Sequence, residues 1–386
     1  MSQSTPHILI LCKTKLHSDP RVLKQIAALG DQHVITCVGV EKSNQLNVDY
    51  DLGLFESEVA SVSSRIKHLV NLMTKRYSSI YWTLNHKRVY RSLREKKYDL
   101  IICNETESLP IADRLAIEQN IPIYCDLHEF YLVDKKNGRS SKSQLDFEKW
   151  LLLNHKQRVS HFTTVSPQII ELYKNEYNVD CTLLTNACKK YDLVPQPISA
   201  NQIKLVCHGG AIRNRKIETM IYATDMLSDV YTLDLFLAEN NSEYLNDLRE
   251  IVKTLRHSRI TIRPAIPFDK IQETINKYDV GIYSLFPTHL NNQYALPNKL
   301  FEFIQGRLAV AIGPTPAMAD IVREYDIGTV ANDFTVESLA KSISKLSIED
   351  ISRYKQNTNR AAEELNSENN IKEIRRIVTE LLTKTQ

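Results

Sequence analysis

Short runs of apolar residues alternate with amphipathic segments along most of the chain. The apolar runs are nearly continuous, as in residues 7–12 (HILILC) and 98–103 (YDLIIC). Strands covered on both faces have this composition, which is typical of a parallel sheet between layers of helices. The pattern predicts strands at residues 7–12, 33–39, 98–103, 121–127, 161–166 and 181–186, and then at 203–208, 231–238, 259–263, 278–285, 308–313 and 328–332.

Helical periodicity appears between these apolar runs. It predicts helices at residues 20–30, 108–119, 142–158, 216–227, 242–256, 268–277, 298–306, 316–325 and 335–346. Strands and helices that alternate in this way form βαβ units, so the fold class is α/β with parallel sheets.

The alternation stops at residues 187–202, which contain two prolines and no hydrophobic periodicity, and then restarts. A length of 386 residues suits two domains of roughly 150–200 residues each. We predict a Rossmann-like domain at residues 1–190, a linker at 191–202, a second Rossmann-like domain at 203–365, and a C-terminal helix at 366–386 that returns to the first domain. The two sheets are expected to face a cleft.

Composition and charge place the chain among globular proteins of the cytoplasm. The net charge is only +3, so it indicates no nucleic-acid partner. Seven cysteines without a C-x-x-C pair predict reduced thiols and no metal site. No apolar stretch approaches the ~20 residues of a membrane-spanning helix, and no signal peptide is visible. We expect a cytoplasmic protein, either free or peripheral at the inner face of a membrane.

A glycine pair in the second half is the first candidate for chemistry. Gly209 and Gly210 follow an apolar strand and precede a basic cluster that includes Arg215 and Lys216. Glycines let a phosphate approach the backbone, and cations beside a helix N-terminus stabilise its charge. The arrangement favours a diphosphate site, although a plain turn with solvated cations uses the same residues. It matches neither G-x-G-x-x-G nor a P-loop, which disfavours nicotinamide cofactors and ATP hydrolysis.

The predicted helix after Pro297 is the second candidate. Lys299 and Glu302 are three residues apart and therefore share a face of this helix, close to Asn298 at its start. The lysine could meet a phosphate while the carboxylate accepts ribose hydroxyls. An ordinary helix start with a glutamate in its first turn is an equal alternative.

Polar residues also follow strands of the first half. His128 and Glu129 come after residues 121–127, and Glu105 comes after residues 98–103. Open α/β sheets bind ligands at these strand ends, and histidine is a natural acid–base or hydrogen-bonding group. A capping or core histidine is the competing interpretation. Asp19 and Arg21 open the helix after the first strand in a similar position.

Taken together, these segments resemble the GT-B retaining glycosyltransferases of the large family called GT4. The resemblance covers about residues 5–345 and rests on the order and spacing of several pieces. The matching segments are HILILCKTKLHSDPRVLKQIAAL, YDLIICNETESLPIADRLA, IPIYCDLHEFY, FTTVSPQIIELYKNEY, CHGGAIRNRKIETMI and YDVGIYSLFPTHLNNQYALPNKLFEFIQGRLAVAIGPTPAMADIV.

The resemblance implies roles for individual residues. Glu302 falls on the second glutamate of the family's E-x7-E pattern, which holds the nucleotide ribose, and His128 falls on a histidine near the transferred sugar. Position 294 is Tyr294, where the family pattern has its first glutamate, which touches donor-sugar hydroxyls. The implied donor-binding residues are Gly209, Gly210, Arg215, Lys216, Asn298, Lys299, Leu300 and Glu302; the catalytic residues are His128, Arg215 and Lys216; the acceptor-side candidates are Asp19, Arg21, Glu105 and Glu129.

The implied function is transfer of a sugar from a nucleotide-diphosphate sugar to a glycan or lipid-linked acceptor. Retention of anomeric configuration, a role in cell-surface polysaccharide synthesis and independence from metal ions or other cofactors are part of that expectation. Two alternatives stay open: a non-catalytic GT-B binding subunit, for which Tyr294 is the best support, and a GT-B sugar-nucleotide epimerase.

Residues 65–97 form a strongly basic segment, with ten Lys or Arg and one acidic residue, Glu95. Four aromatic residues are interleaved: Tyr77, Tyr81, Trp82 and Tyr90. Such a segment can lie on an anionic membrane with its aromatic rings at the headgroups. A solvated helical surface with inward-packed aromatics is an equal alternative, and nucleic acid is not an expected partner.

Overall fold

The computed structural model describes residues 5–42, 48–55, 62–130, 142–255 and 259–384 of the chain. The chain forms two compact units. One comprises residues 1–185 together with 370–386, and the other comprises residues 186–369. We call them the N-terminal and C-terminal units.

Each unit is built on one sheet in which all the strand pairs are parallel. The sheet of the N-terminal unit has seven strands in the order β3-β2-β1-β4-β5-β6-β7, and that of the C-terminal unit has six in the order β10-β9-β8-β11-β12-β13. The strands are β1 His7–Leu11, β2 Val34–Gly39, β3 Tyr50–Gly53, β4 Leu100–Asn104, β5 Ile123–Leu127, β6 Val159–Thr164, β7 Cys181–Leu183, β8 Ile203–Gly210, β9 Tyr231–Ala238, β10 Ile260–Pro264, β11 Val280–Tyr283, β12 Ala309–Ile312 and β13 Gly328–Val330.

Helices connect the strands, and further helices follow the last strand. They are α1 Pro20–Leu29, α2 Val62–Met73, α3 Tyr77–Tyr81, α4 Leu84–Arg94, α5 Leu109–Gln119, α6 Lys142–His155, α7 Pro167–Tyr177, α8 Glu218–Asp225, α9 Ser242–Thr254, α10 Ile271–Ile275, α11 Leu290–Tyr294, α12 Asn298–Gln305, α13 Pro316–Glu324, α14 Val336–Ser344, α15 Ile348–Glu364 and α16 Ser367–Lys384. None of the helices within the described ranges is both long and apolar enough to cross a bilayer.

The central strands are buried because their side chains are apolar on both faces, as the near-continuous runs predict. Every residue of β4 and β5 is buried. The last helix, α16, contributes Ile374, Ile377 and Val378 to the core that also contains Ile8 of β1. Residues 370–384 are thereby part of the N-terminal unit.

Three differences from the sequence prediction concern the strands and the domain boundaries. Strand β3 was not predicted, because it is short, contains an aspartate and a glycine, and lies at a sheet edge. The units divide between Thr185 and Asn186, a few residues before the predicted boundary at 190. The predicted linker at 191–202 belongs to the C-terminal unit, where the amide of Tyr191 donates to Gln305 Oε1 at 3.1 Å.

Candidate functional site

Strand β8 ends in two glycines, and the side chains of two cationic residues approach the first of them. Gly209 has φ +124°, a conformation that favours glycine. A Cβ atom there would lie 2.8 Å from Nζ of Lys299 and 3.5 Å from Nη1 of Arg215. A Cβ at Gly210 would lie 2.2 Å from Oδ1 of Asn240, so that exposed side chain would have to move. The structure thus brings Gly209, Arg215 and Lys299 together.

Helix α12 places Lys299 and Glu302 beside the end of β8. Both side chains are buried, at 8% and 7% exposure. Nζ of Lys299 donates to the backbone oxygen of His208 and lies 5.0 Å from the ring centroid of Tyr283. Burial raises the pKa of the Glu302 carboxyl, and the ammonium of Lys299 acts in the opposite direction. The sequence prediction that these two residues share a face of one helix agrees with this arrangement.

His208, the residue before Gly209, completes the cluster. Its Nε2 lies 3.4 Å from Oε2 of Glu302 and makes no hydrogen bond within the part of the chain that is described. Burial and the nearby charge of Lys299 lower the pKa of His208 well below its usual value, so the ring is neutral at pH 7. Sequence reasoning missed this residue, although it stands directly before the glycine pair.

The basic residues after Gly210 lie in a single turn and do not open a helix. Arg213–Arg215 form a 3-10 turn, Lys216 has a left-handed φ of +47°, and α8 begins only at Glu218. The hydroxyl of Tyr244 accepts from the amide of Ile217 at 2.8 Å. The predicted contribution of a helix N-terminus to anion binding is therefore wrong here, because the acidic Glu218 and Tyr244 occupy that end.

The other predicted donor-site residues differ in what they can offer. Lys216 is exposed, with Nζ 4.3 Å from the ring centroid of Phe286, and Asn298 is exposed at the first position of α12. Leu300 is 1% exposed within the core, and its amide donates to the backbone oxygen of Pro297 at 3.1 Å. Leu300 was predicted as a contact because of its sequence position, but neither its side chain nor its amide is available.

Tyr294 is the last residue of the short helix α11. Its hydroxyl accepts a hydrogen bond from Nε2 of Gln293 at 3.4 Å. A phenol offers one donor and acceptor oxygen where a glutamate would offer two anionic acceptors. Tyr294 can therefore bind a sugar hydroxyl only through a neutral oxygen, whereas the glutamate of the family pattern would bind it through a negatively charged one.

In the N-terminal unit, a buried ion pair lies behind the C-terminal ends of β4 and β5. Nε of Arg21 donates to Oδ2 of Asp126 at 2.9 Å, and its Nη2 donates to Oδ1. Nη1 of Arg21 also donates to the backbone oxygen of Leu184 at 2.9 Å. Burial alone would raise the pKa of Asp126, but the charge of Arg21 and the imidazole of His128 hold it below its usual range. The predicted acceptor-side role of Arg21 is wrong, because its guanidinium is buried and committed to Asp126.

Glu105 supports His128 from a strained backbone. Glu105 has φ 68° and ψ 161°, a region that is essentially restricted to glycine. Its Oε1 accepts from the amide of His128 at 2.8 Å and lies 3.4 Å from Nδ1 of that ring. Its Oε2 is buried and has no hydrogen-bond partner within the described ranges. Burial raises the pKa of Glu105 well above its usual value, opposed by the amide of His128. Strain and an unsatisfied acceptor at one residue are typical of a functional site.

The ring of His128 is surrounded by oxygen atoms and is about one-fifth exposed. Its Nε2 lies 3.3 Å from Oδ1 of Asn104 and 3.5 Å from Oδ2 of Asp126. Asn104 is in turn fixed by Gln25, whose Nε2 donates to Oδ1 of Asn104 at 2.9 Å. Sequence reasoning placed Asn104 at a strand end beside Glu105 and assigned no role to Gln25 or Asp126; these residues act on His128 through contacts across the fold.

The remaining acceptor-side candidates are Asp19 and Glu129, and the charge of Glu129 is close enough to Glu105 to raise the pKa of that carboxyl. Asp19 is the N-cap of α1, and its Oδ1 accepts from the amides of Arg21 and Val22 at 3.0 and 3.3 Å. Its Oδ2 accepts from Oγ1 of Thr14 at 2.7 Å. Glu129 is exposed, and its backbone oxygen accepts from the hydroxyl of Tyr173 at 2.8 Å. Asp19 therefore has a capping role, and Glu129 offers an exposed carboxylate.

Known proteins resemble this chain in sequence over one unit and in fold over its whole length. Residues 21–186 match the model of Glycosyltransferase Family 4. A search of curated proteins gives no match. In fold, HepE of Anabaena, solved in complex with UDP and glucose, has a TM-score of 0.68 at 13% identity, covering 98% of this chain and 100% of HepE.

Two further solved structures agree. Sucrose-phosphate synthase of Thermosynechococcus elongatus has a TM-score of 0.70 at 15% identity, covering 98% of this chain and 100% of the synthase. A glycosyltransferase of Rickettsia africae has a TM-score of 0.73 at 12% identity, covering 98% of this chain and 99% of that glycosyltransferase. Residues 21–186 thus match Glycosyltransferase Family 4 and the whole chain has the GT-B fold of these proteins, which confirms the fold and the resemblance to glycosyltransferases predicted from the sequence.

Proposed function

We propose that this chain is a glycosyltransferase that transfers a sugar from a nucleotide-diphosphate sugar to a glycan or lipid-linked acceptor. The observation that carries the proposal is the approach of Lys299 and Arg215 to the bare backbone of Gly209, beside the buried carboxylate of Glu302. Two cations and a glycine suit a diphosphate, and a buried carboxylate suits a pair of ribose hydroxyls. HepE, which shares the fold, was solved with UDP and with UDP-glucose, which supports a nucleotide sugar as the donor.

The proposed chemistry is the stabilisation of a leaving nucleoside diphosphate. Negative charge increases on the diphosphate as the bond to the sugar breaks. The ammonium of Lys299 and the guanidinium of Arg215 are held in place before the reaction, so they stabilise that charge without reorganisation. Lys216, exposed beside Phe286, is a third cation for the same role. We propose that these cations serve in place of a divalent metal ion and that no cofactor takes part.

On the acceptor side, we propose that His128 donates or accepts a hydrogen bond with the sugar or acceptor hydroxyl. The contacts of its ring nitrogens, 3.3 to 3.5 Å, are long for hydrogen bonds, so a substrate oxygen can replace one of them. Glu105 is a positioning residue in this proposal, because it holds the amide of His128. Glu129, which directly follows His128, offers an exposed carboxylate on the acceptor side.

Two finer points of the proposal rest on the family resemblance: retention of the anomeric configuration and participation in cell-surface polysaccharide synthesis. The proposed cytoplasmic location rests on the composition of the sequence. A non-catalytic binding subunit is the second candidate, and Tyr294 is the specific observation that favours it, because the carboxylate expected at that position is missing.

Release of nucleoside diphosphate from donor sugars tests the proposal. UDP-, GDP-, CDP- and dTDP-sugars are supplied with water as the acceptor, and the anomer of the released sugar is followed by NMR. We expect release with the sugars of one base, and initial formation of the anomer present in the donor. His128→Ala should lower the rate by about 10- to 100-fold, the loss expected for a hydrogen bond worth about 1.5–3 kcal/mol. His17→Ala, at an exposed position, is the matched control. No release above the buffer rate with any donor, alongside retained nucleotide binding, would favour the silent subunit.

A further inference from the structure

The basic segment at residues 65–97 folds as three helices, α2, α3 and α4, in the N-terminal unit. Helix α2 has an apolar stripe that points into solvent. Ile66, Leu69, Val70 and Met73 are 60%, 57%, 50% and 72% exposed. Their spacing of i, i+3, i+4 and i+7 places all four on one face of the helix. Large apolar residues that are contiguous and exposed mark an interaction surface.

The stripe faces away from the body of the unit. At about 100° per residue, Asn71 and Leu72 lie on the opposite side of α2 from the stripe. Both are buried, at 8% and 6% exposure, so this side packs against the protein. Arg65 and Lys67 are exposed and fall on the two flanks of the stripe. Helix α2 therefore has the cross-section of an interfacial helix, with an apolar face and one cation on each flank.

Charge around the stripe is strongly asymmetric. Residues 65–97 hold ten of the 49 basic residues and one of the 46 acidic residues, so the other 39 basic residues are outnumbered by 45 acidic ones. Lys75, Arg76 and Lys87 are also exposed, and Leu84 is 86% exposed. The segment is thus a positive surface on a chain that is otherwise net negative.

The aromatic residues of this segment do not form the predicted headgroup contact. Tyr81 and Tyr90 are 3% and 4% exposed, and Trp82 is half-buried beneath the guanidinium of Arg114, 5.3 Å from its ring. They pack inward, as the alternative interpretation of the sequence expected. Tyr77 is also partly exposed, and its ring lies beside that of Trp150. The exposed apolar surface comes from the aliphatic side chains of α2.

We propose that α2 docks the N-terminal unit on the surface of an anionic phospholipid bilayer. The apolar stripe of Ile66, Leu69, Val70 and Met73 enters the acyl boundary while Arg65 and Lys67 contact lipid phosphates on both flanks. A second copy of the chain fits this surface poorly, because a two-fold contact would bring the cations of both copies together. A phosphate backbone of nucleic acid would satisfy the cations and leave the stripe in water. This inference does not depend on the proposed reaction.

Flotation with lipid vesicles tests the proposal with the full chain. We expect the protein to bind vesicles of 70% phosphatidylcholine and 30% phosphatidylglycerol, and not vesicles of phosphatidylcholine alone. Leu69→Gln/Met73→Gln removes half of the apolar stripe and should lower the ratio of bound to free protein at least about tenfold. Arg65→Glu/Lys67→Glu should lower that ratio by at least the same factor, since each basic residue contributes about a factor of five near such a surface. High salt should weaken binding of the wild type. Met226→Gln/Phe268→Gln, which changes two exposed apolar residues of the C-terminal unit, is the matched control and should bind as the wild type does.

The substitutions lie on exposed side chains and should leave the fold intact, which circular dichroism verifies. Release of nucleoside diphosphate should continue in both α2 variants, so failure of docking and failure of the proposed reaction give different results. Equal vesicle binding by wild type and α2 variants would overturn the proposal. The proposal would also be overturned if the wild type did not bind vesicles but formed a dimer, or bound single-stranded DNA, and the α2 variants lost that interaction.

Discussion

Replacing Lys299 with methionine is expected to lower the rate of sugar transfer by about a hundred- to a thousandfold. Lys299 is buried, and its ammonium lies 2.8 Å from the position that a Cβ of residue 209 would take. Loss of one preorganised donor to developing charge costs about 2.7–4 kcal/mol in known enzymes, which gives this range. Methionine keeps an unbranched side chain of similar apolar bulk, one heavy atom shorter, and removes the charge and the hydrogen bonds.

The kinetic signature separates this role from a structural one. A cation that stabilises the leaving diphosphate in the transition state should change kcat more than KM. Lys253→Met, at an exposed position of α9 in the same unit, is the control and should keep the wild-type rate. A Lys299→Met protein that is folded and retains kcat would show that this lysine does not stabilise the leaving group.

Replacing Arg21 with alanine is expected to destabilise the N-terminal unit by about 3–5 kcal/mol. The substitution leaves Asp126 fully buried without its guanidinium partner, and an uncompensated buried charge has this cost. Because the folded pKa of Asp126 is depressed, the stabilisation from this pair is complete above the pKa of an unfolded aspartate and declines as the pH falls through the folded value. In the variant, burial without the guanidinium raises the pKa of Asp126. The difference between wild type and variant should therefore be largest at high pH and should shrink as the pH falls and Asp126 of the variant becomes protonated.

Both tryptophans of the chain, Trp82 and Trp150, lie in the N-terminal unit, so their fluorescence during urea unfolding reports on that unit alone. Lys174→Ala removes an exposed ion pair with Asp180 in the same unit and should change the unfolding midpoint little. An equally small effect of Arg21→Ala would contradict the structural role assigned to the Arg21–Asp126 pair.

The sequence predicts the sheets well because their strands are buried on both faces. The run at residues 98–103 contains β4, whose five residues are all buried. Strand β3 has no such run, since it pairs on one side only and includes Asp51 and Gly53. An edge strand of this kind has no hydrophobic signal to detect.

Prediction of the sites depends on how local each arrangement is. Lys299 and Glu302 are one helical turn apart, so periodicity places them together. Periodicity does not reveal that Leu300 is unavailable, because all residues from Lys299 to Gln305 are buried. The pairing of Arg21 with Asp126 joins residues 105 positions apart. No local pattern indicates such a contact, so the sequence suggested Arg21 as an acceptor-side candidate and not as the partner of Asp126.

The strain at Glu105 was also invisible in the sequence. A glycine at that position would have indicated a positive φ, but a glutamate gives no such signal. The identity of the residue matters because its carboxylate holds the amide of His128, and glycine would relieve the strain and lose that contact.

Thermal unfolding with nucleoside diphosphates, on wild type and Glu302→Ala, tests most directly the claim that the C-terminal unit binds a nucleotide sugar. At ~100 Kd, one of UDP, GDP, CDP and dTDP should stabilise the wild type by about 2.7 kcal/mol, a shift of roughly 5–10 °C. In Glu302→Ala the loss of hydrogen bonds worth about 1.5–3 kcal/mol should reduce this to about 1 kcal/mol or less at the same concentration. Glu349→Ala, at an exposed position of α15, should behave as the wild type. No shift with any nucleotide, or an undiminished shift in Glu302→Ala, would contradict the donor site described above.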